Sequence, residues 1–287
     1  MSKVIVVGAG LFGSIIAESL SKDGHDITVI DDKRPMAGSL PSACLMKPGW
    51  FAGMGKDKYE PSLALLDECF GIEDFQFKIR PSGVSATVHR VNPLNAVYLN
   101  NPAKFLEGQV THVGPDYVKV ISPRRETGVL HFTMEADVIV VAAGIWCRQI
   151  LLEAASYDIV PKCGVAYRIR GAKCSENRID VWAPYKQLVG FQERDDQVWI
   201  GDGSAIIIPN WKEKRIAQSR KRCQKFGEDL GVLGVRTEIQ GYRPYVQGAK
   251  PCVFEQVSPK VWLATGGAKN GTIAAGWVAS ELRRALS

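Results

Sequence analysis

Apolar residues fall along this chain in three short unbroken runs, each closing on small residues: Val4-Ile-Val-Val-Gly8, Val138-Ile-Val-Val-Ala-Ala-Gly144 and Val261-Trp-Leu-Ala-Thr-Gly-Gly267. Runs of this length without polar alternation predict strands buried on both faces, as in a parallel sheet covered by other layers. After the first run Ile15, Ile16, Ala17 and Leu20 recur at helical spacing, and a further strand at 26–30 ends in Asp31. Shorter strand signals follow at 75–79, 86–91, 109–113, 117–121 and 129–133. Those at 160–170, 180–184, 187–192 and 197–201 come in such close succession that an antiparallel sheet is predicted for the middle of the chain. Helices are predicted at 62–70, with Leu63, Leu66 and Phe70 on one side, at 212–230 and at 272–286.

The first run and its turn predict specific chemistry. Gly8 permits a tight turn, Gly10 lets backbone approach a pyrophosphate, and Gly13 allows the helix to sit close to the strand. The phosphates then meet the N–H groups of a helix N-terminus. Asp31, at the end of the next strand, suits hydrogen bonds from both hydroxyls of an adenosine ribose and would repel a 2′-phosphate, so the turn reads as a site for NAD or FAD rather than NADP. The segment 33–50, rich in Gly, Pro, Ser and Ala, follows directly and is expected to lie against the cofactor. The expected fold class is α/β: a Rossmann-like dinucleotide-binding domain assembled from 1–50, 102–155 and 236–287, with a smaller, largely antiparallel-sheet domain from 51–101 and 156–235.

Composition narrows the field. With 46% hydrophobic and 23% charged residues among 287, the chain reads as a globular protein with length for a full core. No apolar run approaches the roughly 20 residues that span a bilayer, and the N-terminus lacks a cleavage signal, so a cytoplasmic location without membrane partners is expected. The seven cysteines are odd in number and scattered, which predicts reduced thiols; neither they nor the four histidines have metal-ligand spacing, and no metal is expected. The net charge of +6 is concentrated at 211–225, where seven basic residues between Lys212 and Lys225 face one acid. That stretch reads either as a surface for a polyanion such as nucleic acid or as a solvated helix face.

The order of motifs resembles the D-amino-acid oxidase and glycine oxidase family of FAD flavoproteins. The likeness rests on the N-terminal glycine turn with Asp31, the 39–47 loop, 136–144 followed by Ile145 and Trp146, Gly164 in a Pro161-Lys-Cys-Gly turn, a Gly241-Tyr-Arg-Pro turn, and Gly266-Gly-Ala-Lys-Asn-Gly271. It covers nearly the whole chain and is weakest at 51–101. The resemblance implies noncovalent FAD held by Gly8, Gly10, Leu11, Phe12, Gly13, Asp31, Asp32, Ser39, Ala43, Cys44, Met46, Val110, Ala142, Ala143, Gly144, Trp146, Gly266, Gly267, Asn270, Gly271, Thr272 and Ile273. Independently, the helix opening at Asn270 to Ile273 can supply N–H groups beside a flavin, where negative charge accumulates on reduction.

By the same resemblance Arg243 grips a substrate carboxylate, for which a guanidinium fork is suited, although an Arg that merely fixes its turn is the alternative. Lys269 lies over the flavin edge or points to solvent. Tyr242 joins these two as a catalytic candidate, with Tyr245 and Tyr185 as further pocket residues. The family's chemistry passes hydride from the α-carbon of a neutral amine to flavin N5, leaving an imine that water hydrolyses, while oxygen usually reoxidises the flavin to give peroxide. The implied substrate is a small amino acid or amine. The chain is shorter than typical members, which implies a more open pocket. Small phage-encoded members are implicated in trimming amino acids attached to thymine in DNA, so a substrate carried on nucleic acid is an alternative. A flavin-binding subunit without turnover is another.

Overall fold

The computed structural model describes residues 1–47, 54–92, 104–124, 128–183, 186–207, 212–248 and 252–287. Its principal helices are α1 (Leu11–Lys22), α2 (Lys56–Phe70), α3 (Lys212–Asp229) and α4 (Gly271–Leu286). They flank two large sheets.

The first sheet has six strands in the order Cys252–Ser258, Val261–Gly266, Val138–Val141, Lys3–Val7, Asp26–Asp31 and Lys104–Glu107. All neighbours are parallel except at the Cys252–Ser258 edge. The three apolar runs are thus its central strands. Their alternation divides two cores: Val4 and Val6 pack with Ile15, Ile16 and Leu20 of α1 and Ile273, Ala274 and Val278 of α4, whereas Ile5 and Val7 pack with Val110, Val118 and Val120 on the opposite face. That face is covered by a three-stranded antiparallel sheet of Gln109–Val113, Tyr117–Arg124 and Gly128–Glu135. Burying each such Val or Ile contributes about 1.5–3 kcal/mol, so covering both faces explains why the strand needs no polar position.

The second sheet runs Val235–Val246, Ile159–Arg170, Gln197–Ile207, Lys186–Arg194, Arg178–Ala183, Glu73–Arg80, Val84–Arg90 and Leu45–Met46. Only Arg178–Ala183 and Glu73–Arg80 pair in parallel. Helix α3 lies on one face, where Cys223, Phe226 and Leu230 meet Ile169, Val198 and Ile200. The other face carries Phe77, Val189, Phe191 and Trp199.

Three expectations change. The Gly241-Tyr-Arg-Pro motif and the Pro161-Lys-Cys-Gly motif are not turns; they lie in the middle of two twelve-residue strands, paired in register from Ile159 opposite Val246 to Arg170 opposite Val235. Residues 236–246, expected from sequence in the nucleotide-binding domain, therefore lie in the second sheet. Helix α2 begins six residues before the expected start, at Lys56, with Pro61 inside it. Its fully buried positions are Ser62, Leu65 and Leu66 rather than the Leu63, Leu66 and Phe70 stripe, because it lies so close to α4 that a Cβ at Gly276 would stand 2.3 Å from Ser62 Oγ. Lys104–Glu107 was not foreseen as a strand; it carries too few apolar residues to announce one.

Candidate active site

A cavity of about 1680 Å³ opens at the ends of the central strands of the first sheet and continues along residues of the second. It exceeds the roughly 300–1,000 Å³ of ordinary small-ligand sites, as a dinucleotide together with a substrate requires.

The glycine turn forms one end. Gly8 has φ +102°, and a Cβ there would stand 2.7 Å from the Ala142 carbonyl oxygen. A Cβ at Gly13 would fall 1.8 Å from the Gly8 carbonyl oxygen, so α1 can approach its strand only because residue 13 has no side chain. The Leu11 N–H donates to Ser39 Oγ at 2.8 Å, which fastens the following loop to the first turn of α1. Asp31 accepts from the Ala9 N–H at 2.7 Å and from the Lys33 N–H at 2.6 Å, so its carboxylate is held at the mouth of the turn. Arg34 pairs with Asp32, donates to Gln149 Oε1 at 3.2 Å and lies over the Trp146 ring at 5.1 Å.

The loop between Met36 and Met46 bridges the two sheets. The Tyr242 N–H donates to the Met36 carbonyl at 2.8 Å, the Val91 N–H donates to the Cys44 carbonyl at 3.3 Å, and Arg90 Nε donates to the Ala43 carbonyl at 3.4 Å. Arg90 is itself buried against Glu193 at 2.8 Å, and Glu193 also takes Arg168 at 3.1 Å. Lys33, Met36, Cys44 and Ala268 adopt positive φ without being glycine, with values from 43° to 71°. Such backbone costs on the order of 1–3 kcal/mol per residue and collects at ligand sites. Burial pushes the Cys44 thiol up in pKa, so it packs rather than attacks.

At the far end Gly266 and Gly267, at φ +99° and +76°, turn the last strand into α4. No side chain caps α4, and Asn270, Gly271 and Thr272 border the cavity, so backbone N–H groups are available there. Arg243 stands opposite Lys162 on the neighbouring strand, and its guanidinium occupies the space a Cβ would take at Gly164, which would lie 2.1 Å from Nη2. The Lys162 ammonium sits 3.2 Å from the centroid of the Tyr245 ring. Lys269 completes the group: burial, with the Arg243 and Lys162 charges adding and Asp202 opposing, pushes its pKa down to about 8. Burial likewise lowers Arg243. Asp202 is buried and takes a 2.5 Å bond from Arg222 of α3.

Most residues singled out from sequence border this cavity: Gly8, Gly10, Leu11, Phe12, Asp31, Asp32, Ser39, Ala43, Cys44, Val110, Ala142, Ala143, Gly144, Trp146, Gly266, Gly267, Asn270, Gly271, Thr272, Tyr242, Arg243 and Lys269. Gly13, Met46 and Ile273 stand behind its wall, the last two in the core of the first sheet. Strand alternation separates Tyr242 from Arg243: the tyrosine packs with Cys163, Val165 and Ile216 towards α3, while Tyr245 shares the face of Arg243. Tyr185 lies outside the described residues. Sequence reasoning passed over Lys162, Trp199 and Asp202, which also border the cavity, and read Arg215 and Arg222 as part of a polyanion surface or a solvated helix face, where the structure sets them in the cavity lining. For Asp202 a signal existed, an acid between two glycines within an apolar strand.

The backbone cradle, the ribose acid, the uncapped helix and the size of the cavity all fit FAD, and with the arginine beside it they define the architecture of a flavin-dependent oxidoreductase. Comparison with known proteins agrees. The model of the family described as FAD dependent oxidoreductase matches residues 81–285, and that of the NAD(P)-binding Rossmann-like domain matches residues 6–51. The chain belongs to the FAD-dependent oxidoreductase family, and FAD is its cofactor. It is similar to an L-amino-acid oxidase of Mus musculus, with 30% identity over 105 residues, 36% of this chain and 17% of that protein's length. In fold it is similar to iminodiacetate oxidase from Chelativorans (TM-score 0.67, 16% identity, 98% of this chain and 94% of that one). Glycine oxidase from Bacillus cereus is a comparable neighbour (TM-score 0.66, 15% identity, 100% and 96%). Among the described residues no helix is long and apolar enough to cross a membrane.

Proposed function

We propose that this chain oxidises the C–N bond of a small amino acid or amine to an imine, which water then hydrolyses. The observation that carries the reading is the Arg243 guanidinium: it faces the cavity near the Gly266 to Thr272 end, and among the described residues it makes no ion pair or hydrogen bond. A planar fork in that state suits a carboxylate, to which it donates two parallel bonds. Gly164 leaves the fork its place, and the paired strands fix its height above the sheet. We assign FAD binding to the first sheet with its helices and substrate binding to the second, the 36–46 loop joining them.

FAD, when bound, supplies the two-electron acceptor for such an oxidation. The contribution of the protein is then positional and electrostatic. The Gly8 to Gly13 turn would hold the pyrophosphate, and Asp31 the adenosine ribose. The N–H groups at the start of α4 and the Lys269 ammonium would stabilise negative charge at the reactive end. Arg243 would fix the substrate carboxylate and with it the direction of the α-carbon, and closeness of this kind supplies much of the rate without a dedicated base. The glycine-oxidase and amino-acid-oxidase likenesses support the same substrate class.

The test is the visible spectrum of the purified protein followed by anaerobic mixing with a panel of amino acids and secondary amines. Bleaching of the flavin by at least one of them is expected. A flavin that no amine reduces, or a protein that takes up no FAD, overturns the reading.

A further inference from the structure

The substrate end of the cavity holds more positive charge than one carboxylate can balance. Lys162, Arg215, Arg222, Arg243 and Lys269 border it, against Asp202 as the acid there. Asp202 is already engaged by Arg222 at 2.5 Å. Lys162 and Arg243 are direct cross-strand partners. Side chains so placed have Cβ atoms about 4.5–5.5 Å apart, and like charges in that position destabilise a sheet. Neither forms an ion pair among the described residues. The Tyr245 ring, 3.2 Å below the Lys162 ammonium, holds that charge at the wall. A sheet that keeps this arrangement facing a cavity is built for an anion that bridges the pair.

Resting on the amine-oxidising reading above, we propose that the substrate carries two acidic groups: an amino acid or N-substituted glycine whose α-carboxylate occupies the Arg243 fork and whose second carboxylate or phosphonate is held by Lys162. Partial burial, with the Arg243 charge adding to it, lowers the Lys162 pKa. A single carboxylate in the Arg243 fork would leave the facing Lys162 charge uncompensated.

Inert anions test this apart from turnover. The FAD-loaded protein is titrated with acetate, malonate, succinate and phosphonoacetate while the flavin absorbance and the melting temperature are followed. Charge-assisted contacts predict that the best dianion binds about tenfold to a hundredfold more tightly than acetate. In Lys162→Met that ratio should collapse towards one, and in Lys162→Arg it should persist. A wild-type ratio near one, a ratio unchanged in Lys162→Met, or equal weakening of acetate and dianion in Lys162→Met overturns the proposal; the last would mean that both cations hold one carboxylate. With substrates, aspartate or N-(phosphonomethyl)glycine should bleach the flavin at lower concentration than glycine. If no amine bleaches it, the oxidase reading fails while the anion ratio still decides the pairing.

Discussion

Gly164→Ala tests the placement of Arg243 without removing its charge. The new Cβ would lie 2.1 Å from Nη2 and 2.9 Å from both Cζ and Nε. Optimal separations for such atoms are about 3.5 Å, so the fork must retreat by more than about 1 Å. Flexible side-chain atoms can make that movement, and Gly164 has no positive φ that a side chain would strain. Replacing a strand glycine by alanine otherwise favours the fold by roughly 0.5–1 kcal/mol. The expected variant therefore keeps its fold and its FAD, with a melting temperature within a few degrees of the parent. A misplacement of about 1 Å at a positioning group costs on the order of a hundredfold in rate, equivalent to about 2.7 kcal/mol of barrier. The assay is stopped-flow anaerobic flavin bleaching across substrate concentration, with the ratio of flavin to protein absorbance recorded on the same sample. A limiting rate and an apparent affinity both within threefold of the parent, with full flavin content, would refute the assignment of the Arg243 fork to the substrate.

Other outcomes follow from the same geometry. Gly13→Val should abolish FAD uptake or soluble expression, because even a Cβ falls 1.8 Å from the Gly8 carbonyl oxygen; flavin content of the purified protein decides it. Because Lys269 has a pKa of about 8, binding of inert carboxylates should weaken as pH rises through 8, and this step should vanish in Lys269→Met. Its folded pKa lies below the ordinary 10.5, so the fold disfavours the charged form, and stability should rise with pH between about 8 and 10.5. Glu238 behaves in the opposite sense. Hydrogen bonds from Arg220 above all, and from Tyr167 and Gln240, hold its pKa down to about 2, so its stabilisation is complete above about 4.5 and is lost as pH falls towards 2. Acid unfolding of Arg220→Met should begin at higher pH than that of the parent.

The parts of the molecule that were legible in the sequence are those whose chemistry is local. Gly8, Gly10 and Gly13 sit within six positions, and the unbroken runs at Val4, Val138 and Val261 announce burial on both faces. The basic stretch near Lys212 was legible as charge but not as a destination. In the fold Ile216, Cys223 and Phe226 seat it on the second sheet, Arg222 reaches Asp202, and Arg220 makes two bonds to Glu238 at 2.7 and 2.8 Å. The opposition of Lys162 and Arg243 was hidden, because it depends on the register of strands far apart in sequence. A shift by one residue would exchange the faces of Tyr242 and Arg243 and turn the guanidinium towards Ile216 of α3. The Gly241-Tyr-Arg-Pro motif read as a turn because glycine and proline ordinarily punctuate; here Gly241 makes room for Ala37 and Pro41, and a Cβ would stand 2.6 Å from the Ala37 carbonyl oxygen.

The loop from Met36 to Met46 is tied to the second sheet at both of its ends, through Tyr242 and through Arg90 with Val91, and to α1 in its middle through Ser39. It behaves as a clasp rather than a flap. Opening the nucleotide groove would break bonds to the second sheet and to α1 at once, so cofactor and polypeptide should come together during folding and part company only when the clasp unravels. Exchange of bound FAD with free cofactor should then keep pace with the opening of this clasp rather than with diffusion through the groove.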